Sequence, residues 1–200
     1  MPAETDVINR GLRLIGAQPI VSRTDGTPPA NAANDIYDEV RLALLRSHPW
    51  NFATKRVQLA QLSSTPAIKF DFEYQLPTDY LRVVKVTDND EGLGHVDHKV
   101  EDGKILTSSD QCWLVYIYQL TDPNKMSTLF REYVSSLLAQ EAAIGLVNSN
   151  TLHQLMTQEA QNIERRARGA DSQEDMPPEM PVGSWVRSRH GRADRKKWGF

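Results

Sequence analysis

The strongest constraint on the fold is the period of the hydrophobic pattern, which changes twice along the chain. Between residues 33 and 44, apolar side chains recur at helical spacing. From about Lys55, apolar and polar residues alternate as they do in a half-buried strand. After Thr121-Asp122-Pro123 the helical period returns on a broad stripe that continues to Leu146, which implies burial on more than one side. This order predicts an α+β fold in which terminal helices pack as a helical bundle, with an antiparallel β-rich segment inserted between them.

Residues with strong capping preferences mark the expected helix ends. Thr5 or Asp6 is expected to cap the first helix, and Gly16 is placed to stop it. The last helix is expected to be capped within Ser149-Asn150. It is predicted to end at Gly169, after arginines whose charge suits a helix C-terminus.

The middle segment carries the signals of several short strands. Residues 70–75 alternate, and the runs 81–86 and 113–118 are rich in β-branched and aromatic residues. Asp102-Gly103 stands between apolar flanks, which is typical of a tight hairpin. Residues 89–94 are polar and glycine-rich, so we expect an exposed loop there.

These patterns divide the chain into four parts. Residues 1–53 and 122–169 are predicted to form the helical body, and residues 54–121 the β-rich insertion. Residues 170–200 are expected to be an extended tail, because they begin acidic and proline-rich and contain only isolated aromatic residues.

The charge of the chain is unevenly distributed. The formal net charge is -3, but residues 182–200 carry six cations against one carboxylate, a charge of +5 that leaves -8 on the rest. An acidic body repels phosphate backbones, so any attraction to nucleic acid is confined to the C-terminal segment. A DNA-binding module is therefore supported only by the charge of the tail.

Compartment and redox state follow from two further features. No apolar run approaches the roughly 20 residues needed to cross a bilayer, and the first residues do not resemble a secretion signal. We therefore expect a protein made in the cytoplasm without a membrane partner. Cys112 is the single cysteine and lies in an apolar run, which favours a buried, inert thiol.

Candidate catalytic and metal-binding groups are few. Asp71 and Glu73 stand two residues apart on a predicted strand, as a sugar-hydrolysing carboxylate pair could, but the solvent face of any amphipathic strand has the same pattern. His95-Val96-Asp97-His98 offers metal ligands, but such loops are common and no third ligand set stands nearby in the sequence, so a metal site there is the disfavoured interpretation. We expect no catalytic residue, no metal and no cofactor.

The aromatic residues Trp50 and Phe52 follow the end of the second predicted helix at His48-Pro49. Large aromatic residues at such a position are either core residues or interface anchors, and the core is the favoured interpretation.

Several sequence blocks are specific when taken together and in order. They are Asn9-Arg10-Gly11-Leu12-Arg13-Leu14-Ile15-Gly16, Tyr37-Asp38-Glu39-Val40-Arg41, His48-Pro49-Trp50-Asn51-Phe52-Ala53, Tyr74-Gln75-Leu76-Pro77-Thr78-Asp79-Tyr80-Leu81-Arg82 and Gly103-Lys104-Ile105-Leu106. From about Asn9 to Gly169 the chain resembles the head-to-tail adaptor, or tail tubular protein A, family of short-tailed bacteriophages.

The resemblance implies a structural protein of the virion. Adaptors of this family form a dodecameric ring between the portal protein of the capsid and the tail nozzle protein, and DNA passes through the lumen of the ring without specific binding during genome ejection. The helical part is expected to pack between neighbouring subunits and the β part to face the nozzle. Some relatives are credited with glycan-degrading activity, so a glycan or peptidoglycan hydrolase of the phage tail is the alternative.

The resemblance also gives the basic tail a role. C-terminal extensions of similar adaptors reach onto the portal, and Arg and Trp are enriched at protein interfaces. Trp185 and Arg187 are the expected portal anchors, and Arg189 and Arg192 are expected to assist by charge steering.

Overall fold

A computed structural model describes residues 3–92 and 94–174 of the chain. This part contains four α-helices, namely α1 (Glu4–Leu14), α2 (Pro28–Ser47), α3 (Thr128–Val147) and α4 (Asn150–Gln173). Between α2 and α3 lie the strands β1 (Thr54–Gln58), β2 (Phe72–Gln75), β3 (Tyr80–Thr87), β4 (His98–Glu101), β5 (Lys104–Thr107) and β6 (Trp113–Tyr118). The predicted α+β fold, with helices on both sides of a β-rich segment, is confirmed.

Helix α3 is the centre of the helical body. Helices α1, α2 and α4 each pack along it, whereas α2 and α4 make little contact with each other. Phe130 and Leu138 of α3 are fully buried against Leu12 of α1 and Tyr37 of α2. The broad apolar stripe on α3 is therefore covered on several sides, as its pattern predicted. No helix in the described ranges is both long and apolar enough to span a bilayer.

The β-rich segment forms two antiparallel three-stranded sheets. In the first, β6 lies between β1 and β3, and in the second β5 lies between β2 and β4. The sheets share a small core to which Tyr74 and Ile105 contribute from one side and Leu114 and Tyr116 from the other. Ile117 of β6 reaches the helical core instead, so the first sheet joins the two parts.

The structure contains the predicted strands and the predicted hairpin turn. Strand β6 covers Trp113–Tyr118 as expected. The β4–β5 hairpin turns at Asp102 and Gly103, whose φ angles of 48° and 68° place both in the left-handed region that a two-residue hairpin turn needs. The described residues of the 89–94 loop form neither helix nor strand.

The start of α1 differs from the prediction. Ala3, not Thr5 or Asp6, is the N-cap residue. The Asp6 carboxylate accepts a hydrogen bond of 2.8 Å from the Ala3 backbone N–H, so Asp6 occupies the third helical position of a capping arrangement. The acidic residue was identified correctly, but its place in the helix was not.

The end of α4 also differs. Its start is as predicted, because the Ser149 hydroxyl accepts a hydrogen bond from the Leu152 N–H. The helix then continues past Gly169 to Gln173. Glycine is tolerated inside a helix when later residues make stabilising contacts, and here Asp171 is buried.

The approach of α1 to α3 gives a testable prediction. A Cβ atom on Gly11 would lie 2.7 Å from the Ser135 carbonyl oxygen and 2.9 Å from Cδ2 of Leu138. We expect Gly11→Ala to lower the free energy of unfolding by about 1–3 kcal/mol, because the helices must move apart. Urea denaturation monitored by circular dichroism measures the change.

The matched control is Gly145→Ala in α3, where the new Cβ would meet nothing within 4 Å. This variant should gain up to about 1 kcal/mol from helix propensity. Equal effects of the two substitutions would show that the approach of α1 to α3 does not depend on Gly11.

Candidate docking site at the end of the last helix

The segment His48-Pro49-Trp50-Asn51-Phe52-Ala53 links α2 to β1. His48 has an extended backbone (φ -142°, ψ 148°), as expected for a residue that precedes proline, and α2 ends there. The Trp50 indole N–H donates a hydrogen bond of 2.9 Å to the Leu44 carbonyl, one of the carbonyls that the helix end leaves unpaired. The segment thus caps the helix that precedes it.

The aromatic side chains of this segment lie in the core. Trp50 is fully buried, with its ring centroid 5.7 Å from that of Phe52 and 5.1 Å from that of Phe130. Phe52 and Phe130 meet at 5.0 Å in an edge-to-face arrangement, a geometry that aromatic pairs prefer. The core interpretation of Trp50 is confirmed, and the three rings join the end of α2 to the first turns of α3.

The polar residues of the same segment hold the end of α4. The Asp171 carboxylate accepts a hydrogen bond of 3.1 Å from the Asn51 backbone N–H and lies 3.2 Å from Nε2 of His48. The Asn51 side-chain amide in turn donates to the Asp171 carbonyl at 2.8 Å. We call His48, Asn51 and Asp171 the Asp171 clasp.

Burial sets the electrostatics of this clasp. Desolvation raises the pKa of Asp171, although the hydrogen bond from Asn51 and the nearby His48 act in the opposite direction. Ala167 is the last buried apolar residue of α4. The final turn of the helix is therefore held mainly by the polar contacts of Asp171.

The end of α4 borders a groove at the start of α3. Glu174 follows α4 directly and lines a groove of about 210 Å³ together with Ser127 and Thr128 at the start of α3. The predicted portal anchors Trp185, Arg187, Arg189 and Arg192 lie outside the described residues, so their role remains a prediction.

Asp171 was missed as a structural residue because it opens an acidic, proline-rich stretch. A signal was nevertheless present in the sequence. The buried positions Ala160, Ile163, Ala167 and Asp171 follow each other at spacings of three and four residues, which continues the buried face of α4. A carboxylate on such a face indicates a buried polar contact.

The carboxylate pair considered for hydrolysis has a different environment from the one expected. Glu73 is nearly buried instead of solvated, and its carboxylate accepts hydrogen bonds from Nζ of Lys104 at 2.8 Å and from the Ser64 hydroxyl at 2.7 Å. The hydrogen bond from Lys104 is the main reason that the pKa of Glu73 is lowered. A general acid for glycoside hydrolysis needs a raised pKa, so Glu73 is poorly suited to that role.

The histidine-containing segment near β4 is engaged in local contacts. The Asp97 carboxylate pairs with Lys69 at 2.9 Å, and Nδ1 of His98 lies 2.9 Å from the Val96 carbonyl. Within residues 3–92 and 94–174 no group of three or more His, Cys, Asp or Glu side chains is placed to hold a metal ion. Cys112 is buried as expected, and desolvation raises the pKa of its thiol to about 11.

The Asp171 clasp gives a prediction about pH. Because the folded-state pKa of Asp171 is raised, its contribution to stability is complete below its usual value of 3.8 and is lost as the pH rises through the folded-state pKa. Asp171→Asn keeps an acceptor for Asn51 and removes the charge. The free energy of unfolding of the wild type relative to Asp171→Asn should therefore fall with rising pH, measured by urea denaturation between pH 3 and 7.

Asp171→Ala serves as the second variant. It leaves the Asn51 N–H without its partner and should cost about 1–3 kcal/mol at pH 3, and the cost should become smaller as the pH rises. A difference between wild type and Asp171→Asn that does not change with pH would contradict the raised pKa.

The comparison with known proteins identifies a family. The model of a family described as tail tubular protein matches residues 5–177, a range that covers both sheets, the Asp171 clasp and the helices from the second residue of α1 onward. No curated protein matches the chain significantly. Since the matched region covers most of its length, the chain belongs to the tail tubular protein family and is a structural component of a phage tail.

Proposed function

We propose that this protein is a head-to-tail adaptor, which forms a dodecameric ring between the portal protein and the tail nozzle protein of a short-tailed phage. The observation that carries the proposal is the Asp171 clasp. It holds the end of α4 against the segment that links α2 to β1, so the 26 residues after Glu174 would start from a fixed point of the body. A chain of this length spans up to about 85 Å when extended, enough to reach a neighbouring ring.

The charge and the aromatic residues of the tail, compared with the charge of the rest of the chain, support this arrangement. The tail carries Trp185 and a charge of +5 over residues 182–200, whereas the rest of the chain carries -8. A basic, aromatic segment on an acidic body is suited to binding a protein surface away from that body. The acidic body also suits a channel component, because a wall that bound DNA tightly would impede its passage.

In the proposed ring, the helical body and the β-rich insertion have different roles. The helical body packs between neighbouring copies, and the β-rich insertion faces the nozzle. The protein would be made in the host cytoplasm as a monomer or small oligomer, and would assemble on the portal at the head-to-tail junction of the virion. No cofactor and no membrane partner enter this proposal.

The proposed function is tested first by removal of the tail. Deletion of residues 175–200 retains Asp171 and its contacts, so the body should stay folded. Binding to purified portal rings should be lost, because the affinity comes from anchors in the deleted segment. Co-sedimentation with portal rings at two salt concentrations measures docking, and binding of the truncated chain at full strength would refute the proposal.

Single substitutions refine this test. Trp185→Ala should weaken docking more than Lys196→Ala, because a buried indole is not screened by salt whereas an exposed cation is. Arg187→Ala should have an intermediate effect, and the effects of Arg189→Ala and Arg192→Ala should shrink at high salt. Lys196→Ala is the matched control within the same segment.

The proposal includes the absence of catalysis. The only carboxylate pair that sequence reasoning singled out for hydrolysis contains Glu73, whose pKa is lowered by the Lys104 ion pair. Incubation of the purified protein with peptidoglycan and capsular polysaccharide should release no reducing ends. Turnover that is lost in Glu73→Gln or Asp71→Asn would establish the hydrolase alternative instead.

A further inference from the structure

The groove between the start of α3 and the end of α4 has an apolar lining. Leu129 of α3 and Ala167 and Ala170 of α4 contribute to it, and its volume is about 210 Å³. Ala167 is buried, whereas Leu129 and Ala170 are partly exposed, and Leu129 packs against the helical core. The groove is large enough for one further unbranched side chain. We call it the α3–α4 groove.

The charged residues that line the α3–α4 groove are the carboxylates of Asp171 and Glu174. Asp171 is held by Asn51 and His48, whereas Glu174 is exposed. No cation from residues 3–92 and 94–174 lines the groove. An apolar lining beside two carboxylates accepts a neutral side chain more readily than an acidic one, because like charges repel each other.

The chain itself supplies a neutral apolar side chain at this point. Glu174 lines the groove and keeps a near-helical backbone (φ -78°, ψ -16°). Met176 follows two residues later, so its Cα atom lies within about 8 Å of that of Glu174. Methionine fills irregular apolar gaps because its side chain is unbranched and flexible. The family match ends at residue 177, so it includes Met176 but not the basic segment 182–200.

We propose that the side chain of Met176 docks in the α3–α4 groove of its own chain. The contact covers the exposed part of Leu129 and fastens the chain to the start of α3 just beyond the last described residue. The inference goes beyond the adaptor function, because it concerns the free chain and requires neither the portal nor a ring. Met180, the basic segment 182–200 and a neighbouring copy are the other possible occupants of the groove, and they are outcomes of the test.

The chain contains a matched control for an oxidation experiment. Met176 stands in Asp175-Met176-Pro177 and Met180 in Glu179-Met180-Pro181, so each methionine follows a carboxylate and precedes a proline. Trypsin leaves both on one peptide, residues 169–187, because that peptide contains no internal lysine or arginine. A methionine buried in a groove is oxidised to its sulfoxide more slowly than an exposed one.

The full-length chain is treated briefly with tert-butyl hydroperoxide, and fragment-ion mass spectrometry assigns the sulfoxide to Met176 or Met180. Met176 should oxidise at least about fivefold more slowly than Met180. Equal rates would overturn the inference, and slower oxidation of Met180 would do so by making Met180 the occupant. The ratio of the rates should not change on about tenfold dilution, and a ratio that approaches one would identify a neighbouring copy as the partner and overturn the inference.

Filling the groove is the second test. Ala170→Gln places a longer neutral side chain in the groove and should raise the oxidation rate of Met176 to that of Met180. The matched control is Ala43→Gln, because Ala43 is an exposed residue of α2 outside the groove, and it should leave the ratio unchanged.

Circular dichroism verifies that both variants are folded. If Ala170→Gln does not fold, Thr128→Gln fills the groove from the α3 side and should have the same effect on Met176. Slow oxidation of Met176 that persists in a folded groove-filling variant would show that Met176 is buried elsewhere and would overturn the inference. The oxidation rates are measured without portal rings, so this result and the docking of the tail to the portal can fail independently of each other.

Discussion

The buried side chain of Trp50 joins the elements of the helical body. Its indole N–H pairs with the last turn of α2, and its ring packs with Phe52 and with Phe130 of α3. The neighbouring residues His48 and Asn51 bind Asp171 of α4. One short connection therefore joins three helices and the first strand, and the loss of the Trp50 ring would remove a large apolar contact at the point where these elements meet.

The same connection relates the core to the candidate docking site. Asp171 is buried because the aromatic cluster brings the His48–Ala53 segment next to the end of α4, and its contacts with Asn51 extend the helix past Gly169 to Gln173. The position of the last turn of α4 is thus a property of the core.

The charged side chains differ from one another in whether they have a partner of opposite charge. Several carboxylates of the described residues have cationic partners that lower their pKa values, as Asp38 does with Arg23 and Arg41 and Asp79 does with Lys55. Glu39 and Glu141 instead lie near each other without a cation. Like charges that lie close together are destabilising, so this pair opposes folding where the paired carboxylates support it.

The order and type of the elements can be predicted from the sequence, because the change from helical to alternating period and the Asp102-Gly103 turn are local signals. The sequence also identifies the family, through blocks whose residues are specific in combination. The helix end at Gly169 and the solvated Glu73 were predicted wrongly, since the contacts with Asn51 and Lys104 come from residues 120 and 31 positions away. Such contacts form when distant segments pack together, so burial and partner identity cannot be predicted from local propensity.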